Sequence, residues 1–111
     1  MKDIAKKENT SELEAADLEN ALREMCNLLS KNNDADFIYD FFGCLFTKSE
    51  LKDFANRWHL VKELRAGTTQ REIARKYGMS LCNITRGSRE LKKEDSAFKR
   101  MLAILDARGE D

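Results

Sequence analysis

Between Thr69 and Lys93 the chain carries seven basic side chains, Arg71, Arg75, Lys76, Arg86, Arg89, Lys92 and Lys93, against two acidic ones, Glu72 and Glu90. Cations at this density suit a row of phosphates. Groups able to read base edges sit among them. Asn83 has the donor and acceptor needed for two hydrogen bonds to adenine, and the tips of Leu81, Cys82 and Thr85 can touch thymine methyl groups. Gln70 and Ser80 stand at the starts of the two segments that carry these residues. Arg71, Arg75, Arg89, Lys92 and Lys93 are expected on phosphates, which position a protein on DNA without reading its sequence. Catalytic chemistry has little support. His59 is a lone histidine expected on a solvated helix face, and no nucleophile–base pair is visible. Cys26, Cys44 and Cys82 have no metal-ligand spacing, so no metal site is expected.

Positioning such residues on a double helix needs a rigid presenting element, and the same stretch supplies one. Thr69 caps a short helix over Gln70–Tyr77, with Glu72 completing a capping box. Gly78 follows, where a left-handed backbone is cheap for glycine. Ser80 then caps a second helix from Leu81 to about Leu91. Ile73, Tyr77, Met79, Ile84 and Leu91 can share one small core, and Ala74 lets the helices cross closely. This is the helix-turn-helix pattern, in which the second helix enters the major groove with its N-terminal residues at the base edges.

The 111 residues contain no proline and few glycines, which favours helix throughout. Net charge is zero but unevenly placed: residues 1–50 carry six basic and eleven acidic side chains, a balance of −5, and residues 51–111 carry fourteen and nine, a balance of +5. The basic half contains the reading head. An odd cysteine count and an N-terminus without an apolar leader suggest reduced thiols in the cytoplasm, and no run is long enough for a membrane span.

Residues 1–10 are expected as a flexible polar arm, and residues 11–111 as a single domain. Ser11 and Glu14 form a capping box opening a helix to about Lys31, with an apolar stripe of Leu18, Leu22, Met25 and Leu29. A second helix, Ala35–Leu45, is apolar nearly all round and therefore expected to be buried, either by a second subunit or at the centre of a monomeric bundle. Thr47 and Glu50 cap a third helix, Lys48–Ala66, ending at Gly67. Its core stripe is Leu51, Phe54, Trp58, Val61 and Leu64, with Arg57 beside the apolar face as a snorkelling cation. A last helix, about Ala97–Ala107, carries Phe98, Met101, Leu102 and Leu105. The expected fold is all-α with six helices.

The string from Leu45 to Lys92 resembles the tryptophan repressor family. The resemblance rests on Leu45-Phe46-Thr47, Arg57, Glu63-Leu64, Gln70-Arg71-Glu72, Gly78 and Ile84-Thr85-Arg86-Gly87-Ser88, although the turn after Gly67 is one residue shorter than is usual. It implies an intertwined homodimer in which the first, second and last helices interlock and two helix-turn-helix heads project. It also implies L-tryptophan as corepressor, not a catalytic cofactor. The partner would be double-stranded operator DNA, palindromic and controlling tryptophan biosynthesis or salvage genes.

By the same resemblance, Arg57 and Arg86 flank the indole ring, and Arg86 with the Thr47 hydroxyl holds the carboxylate. The backbone carbonyls of Cys44 and Phe46, from the other subunit, receive the amino group. Gly87 leaves room for the ring edge. A planar guanidinium on an indole face is worth about 1–2 kcal/mol when desolvated. The alternative for Arg86 is an ordinary phosphate contact. Two positions depart from the family pattern. Glu90 replaces a small hydroxyl residue near the amino group, where it could pair with the ligand ammonium or with Arg86 one turn back. Asn83 replaces a threonine in the pocket and DNA region. Two other readings use the same residues differently: a ligand-independent helix-turn-helix module of a transposase-like protein, and a helical adaptor with no DNA role.

Overall fold

The structure is a computed structural model that describes the backbone of residues 2–109 and the side chains of residues 11–108. Among these residues it is all-α, with six helices: α1 (Lys2–Ser30), α2 (Ala35–Leu45), α3 (Lys48–Arg65), α4 (Gln70–Tyr77), α5 (Leu81–Lys92) and α6 (Ala97–Gly109). They fall into two compact units, Met1–Leu45 and Phe46–Asp111.

The first unit contains α1 and α2. Helix α1 starts at Lys2, not Ser11, so the helix runs through the stretch expected as an arm and Ser11 lies inside it. Lysine, glutamate and alanine dominate this segment and nothing in it breaks a helix. Of its apolar stripe, Met25 and Leu29 are half-buried, while Leu18 and Leu22 are exposed. Helix α2 has the expected bounds but no buried residue. Tyr39 is 78% exposed and Phe37 49%, so the burial expected for α2 is not supplied by the single chain.

The second unit is built on α3. Its start is the expected capping box: the Glu50 amide donates to Thr47 Oγ1 at 3.1 Å, and the Thr47 amide donates to Glu50 Oε1 at 2.9 Å. Gly67, at φ 88°, turns the chain out of α3. Thr69 caps α4, accepting from the Glu72 amide at 3.2 Å. The Glu72 carboxylate does not complete the box expected there but takes Arg75 at 2.6 Å. Gly78 adopts the left-handed conformation (φ 61°, ψ 33°) that the turn requires. Ser80 then accepts from the Asn83 amide at 3.3 Å and starts α5.

The core joins α3, α4 and α5 through Leu60, Ile73 and Ile84, with Leu64, Ala74, Tyr77 and Met79 packed around them. Ile73 and Ile84 were expected here; Leu60 replaces Phe54 and Trp58 as the deepest contribution of α3 besides Val61. Phe54 is exposed and stacks on Phe46 with centroids 5.1 Å apart. Trp58 is half-buried, with the Lys62 ammonium 5.8 Å from its ring centroid. The reason is rotational. Leu60 and Leu64 are one turn apart, and their face, not that of Phe54 and Trp58, meets α4 and α5.

Helix α6 is tied to the unit at both ends. Ser96 is buried and accepts from the Phe98 amide at 3.1 Å. Arg65 of α3 donates to Asp106 at 2.6 Å. Leu102 is buried between these ties.

Candidate functional site

Helix α5 lies against α3 closely enough that one position must lack a side chain. A Cβ placed on Gly87 would stand 2.7 Å from Leu60 Cδ2 and 3.3 Å from Leu60 Cγ. Gly87 therefore lets the two helices approach, rather than only leaving room for a ligand edge as expected. Beside this crossing is a cavity of about 250 Å³, lined by Arg57 and Leu60 of α3, Asn83, Arg86, Gly87 and Glu90 of α5, and Phe98 of α6. That is slightly below the range of drug-sized sites, about 300–1,000 Å³, and suits a small metabolite.

The electrostatics of the cavity are unusual for its size. Two guanidinium groups, one carboxylate and the Asn83 amide share its wall with Leu60, Gly87 and Phe98. Among the described residues neither Arg57 nor Arg86 has an ion-pair partner. Glu90 does: Lys93 donates to it at 2.9 Å, and that hydrogen bond is the main reason its carboxyl is held below the usual carboxylate range. The pairing of Glu90 with Arg86 one turn back, one of two possibilities left open by the sequence, is not formed as a hydrogen bond, although the Arg86 charge also helps to lower the Glu90 pKa. Lysine three residues on, beyond the last turn of α5, is the nearer partner.

Five of the residues anticipated for a ligand, Arg57, Asn83, Arg86, Gly87 and Glu90, thus share one cavity wall. Cys44, Phe46 and Thr47 do not line it. Cys44 is exposed near the end of α2, Phe46 stacks on Phe54, and Thr47 caps α3. Accepting the Glu50 amide uses one lone pair of the Thr47 hydroxyl and leaves its proton to donate. Leu60 and Phe98 line the cavity without having been anticipated. The signal for Leu60 was present, since it lies three residues after Arg57 and four before Leu64. Asn83 and Arg57 also border a second, more polar cavity of about 300 Å³ with Asp53, Asn56 and Tyr77. Nothing in the spacing of those residues announced it.

The outer surface of α4 and α5 bears the anticipated nucleic-acid side chains. Gln70, Arg71, Ser80, Leu81, Cys82, Asn83, Thr85, Arg86, Arg89 and Lys92 are all exposed. Leu81, 59% exposed in the first turn of α5, is a large apolar side chain largely open to solvent. Two of the expected phosphate contacts are engaged internally, Arg75 with Glu72 and Lys93 with Glu90. Arg71, Arg89 and Lys92 have no ion-pair partner among the described residues.

Helix α4 is held to α3 by a group that sequence spacing did not single out for this task. Glu63 accepts from Thr68 Oγ1 at 2.9 Å, Lys76 Nζ at 2.8 Å and Tyr77 Oη at 2.6 Å. These bonds, Lys76 first, lower its pKa from 4.5 to about 2. His59 is exposed, as expected, and stacks on Tyr77 with ring centroids 5.2 Å apart and planes at 12°. The ring stack and the Glu63 hydrogen bonds are contacts that join α4 to α3.

Comparison with known proteins decides what this scaffold is. The family model described as Trp repressor protein matches residues 20–106. The chain belongs to the Trp repressor family. It is 44% identical over 85 residues to a Trp operon repressor homolog of Chlamydia trachomatis serovar D, covering 76% of this chain and 90% of that one. It is 42% identical over 89 residues to a Trp operon repressor homolog of Chlamydia caviae, covering 79% and 88%. A Trp operon repressor homolog of Xylella fastidiosa strain M23 is 33% identical over 75 residues, covering 67% and 82%. No solved structure gives a significant match. Trp repressor family members are regulatory DNA-binding proteins, not enzymes, and this chain is a Trp-repressor-type transcriptional regulator. No helix among the described residues is long and apolar enough to cross a membrane.

Proposed function

We propose that the chain is a cytoplasmic, homodimeric repressor that binds palindromic operators of tryptophan biosynthesis or salvage genes when L-tryptophan occupies the cavity between α3 and α5. The observation that carries this reading is that Arg57 and Arg86 line one small cavity, with no close ion-pair partner for either among the described residues. Two planar cations can sandwich an indole ring, and either can take a carboxylate. Thr47 and the carbonyls of Cys44 and Phe46 would reach the ligand from the second subunit.

In this reading α4 and α5 form the helix-turn-helix head. Leu81, Cys82, Asn83 and Thr85 meet base edges, and Arg71, Arg89 and Lys92 meet phosphates, with Gln70, Arg75, Ser80, Arg86 and Lys93 along the same surface. The exposed α2 and an apolar groove of about 710 Å³ lined by Phe54, Trp58, Phe98, Met101 and Ile104 are the surfaces that the second subunit covers. Tryptophan acts by population shift: wedged against α5, it favours the pose in which two heads are spaced about one DNA turn apart, roughly 34 Å, as helix-turn-helix dimers require. Reciprocity follows, so operator tightens tryptophan binding by the factor that tryptophan tightens operator.

The test is selection of bound duplexes from a random pool with and without L-tryptophan, followed by titration of the winners. Tryptophan-dependent affinity supports the reading, and Arg86→Ala then removes the dependence. Equal affinity with and without tryptophan defeats it, and would favour a ligand-independent DNA-binding module.

A further inference from the structure

The cavity holds one feature that a sandwich of arginines does not require, the Glu90 carboxylate. It is part of the wall, yet its hydrogen bond runs outward, to Lys93 at the end of α5. The pair is half open to solvent, with side-chain exposures of 41% for Glu90 and 60% for Lys93. An exposed pair of this kind is weak and screened by solvent, so a second cation arriving from the cavity side can compete for the carboxylate. The same cavity presents two guanidiniums, so the ligand that satisfies all three groups carries both a carboxylate and an ammonium.

Lys93 lies on the surface of the reading head, beside Lys92 and one turn from Arg89. Held by Glu90, its field is offset by the carboxylate; released, it is an unpaired cation on the same exposed surface as Lys92. We propose that Glu90 is an exchange point, at which the ammonium of an α-amino-acid ligand displaces Lys93 and frees it for a phosphate. This inference rests on the proposed corepressor reading and adds to it a selectivity: the ligand's amino group, not its ring alone, is read by charge and reported to the DNA surface.

The exchange makes a distinctive prediction for a double-mutant cycle in the absence of DNA. Calorimetric titration of the full chain with L-tryptophan and with indole-3-propionate, which has the ring and carboxylate but no amino group, reads it directly. Lys93→Ala removes the competitor and should tighten L-tryptophan up to about five-fold, the equivalent of one weak ion pair. Indole-3-propionate should not gain. Glu90→Gln should weaken L-tryptophan about ten-fold, the scale of one charge-assisted hydrogen bond, and leave indole-3-propionate within about two-fold. In the Glu90→Gln background, Lys93→Ala should change nothing further for L-tryptophan.

That last comparison separates exchange from a general field effect, since a lysine acting only through its field would matter equally in both backgrounds. Equal effects, or no tightening in Lys93→Ala, overturn the proposal while leaving the corepressor reading intact. Absence of any L-tryptophan heat with the unaltered chain overturns both. Both substitutions are at solvent-accessible positions, and unchanged thermal melts confirm that the variants are folded.

Discussion

Replacing Gly87 by alanine sets two opposing effects against each other at a place where the structure fixes their sizes. In an open helix, alanine for glycine gains about 0.5–1 kcal/mol, because glycine loses more backbone freedom on folding. Here the new Cβ would stand 2.7 Å from Leu60 Cδ2, about 1 Å inside ordinary carbon–carbon contact. Leu60 is only 3% exposed and packs on Ile73 and Ile84, so its side chain has little room to turn away. Overpacking of this kind costs about 1–3 kcal/mol, leaving a net loss of about 0–2.5 kcal/mol. Leu60→Ala alone opens a cavity and should cost about 2–5 kcal/mol. With Leu60 already truncated, the clashing atoms are gone and Gly87→Ala should become neutral or favourable. The four chains, unfolded in urea at one protein concentration, give midpoints and slopes for the cycle, with a coupling of about 1–3 kcal/mol expected. Gly87→Ala should also weaken L-tryptophan binding, since moving α5 away from α3 separates Arg86 from Arg57. A Gly87→Ala chain stabilised by about 1 kcal/mol, with strict additivity across the cycle, would refute the close approach and with it the account of how the cavity is formed.

Four further outcomes follow from the same geometry. Glu63 has its folded pKa lowered from 4.5 to about 2, so the stability it supplies is complete above 4.5 and is lost as pH falls from there toward 2; Glu63→Gln should flatten acid unfolding in that window, measured by circular dichroism. Ser96→Ala should cost about 0.5–2 kcal/mol through loss of the cap on α6, read from urea midpoints. Lys92→Ala should lower the salt dependence of duplex binding by about one phosphate contact, near 0.9 in the slope of log affinity against log salt, with base preference unchanged. Tyr39→Asp, a charge placed on the most exposed large apolar side chain of α2, should halve the mass seen by light scattering if α2 is buried between subunits, and leave it unchanged if it is not.

The helices were legible in the sequence because their ends carry chemistry. Thr47, Thr69 and Ser80 each cap a helix as their residue types require, and Gly67 and Gly78 take the positive φ angles that end α3 and α4. The start of α1 was not legible, since Ser11–Glu14 imitates a capping box inside a segment that simply continues as helix. Rotational detail was harder. The aromatic residues of α3 outweigh its leucines in any count of apolar area, yet Leu60 goes inward because Gly87 is opposite it, and no local pattern couples residues that far apart. Pair partners were hardest of all. Glu90 has two basic neighbours at helical spacing, Arg86 four residues back and Lys93 three residues on; the only partner expected within the chain was Arg86, and the partner formed is Lys93, the C-cap of α5. Glu63 shows the converse, a residue visible as part of a family string whose physical task, gathering Thr68, Lys76 and Tyr77, becomes evident only when α4 folds back on α3.

Helix α3 explains why a small ligand could alter a DNA-facing surface at all. It holds α4 by the Glu63 hydrogen bonds and the His59–Tyr77 stack, contacts that do not touch the cavity. It meets α5 through Leu60 and Leu64 against Gly87 and Ile84, a close apolar packing beside an open space. The first junction is polar and multiply bonded; the second is apolar and borders the cavity. A molecule placed between Arg57 and Arg86 therefore acts on the junction that borders it, and the proposed shift should be a change in α5 against a fixed α4 hinge. Amide hydrogen exchange with and without L-tryptophan distinguishes this from a wholesale tightening: protection should rise in α5 and change little in α3 and α4. Uniform protection across α3, α4 and α5 would mean that the unit responds as one block, and the exchange at Glu90 would then have no separate element to move.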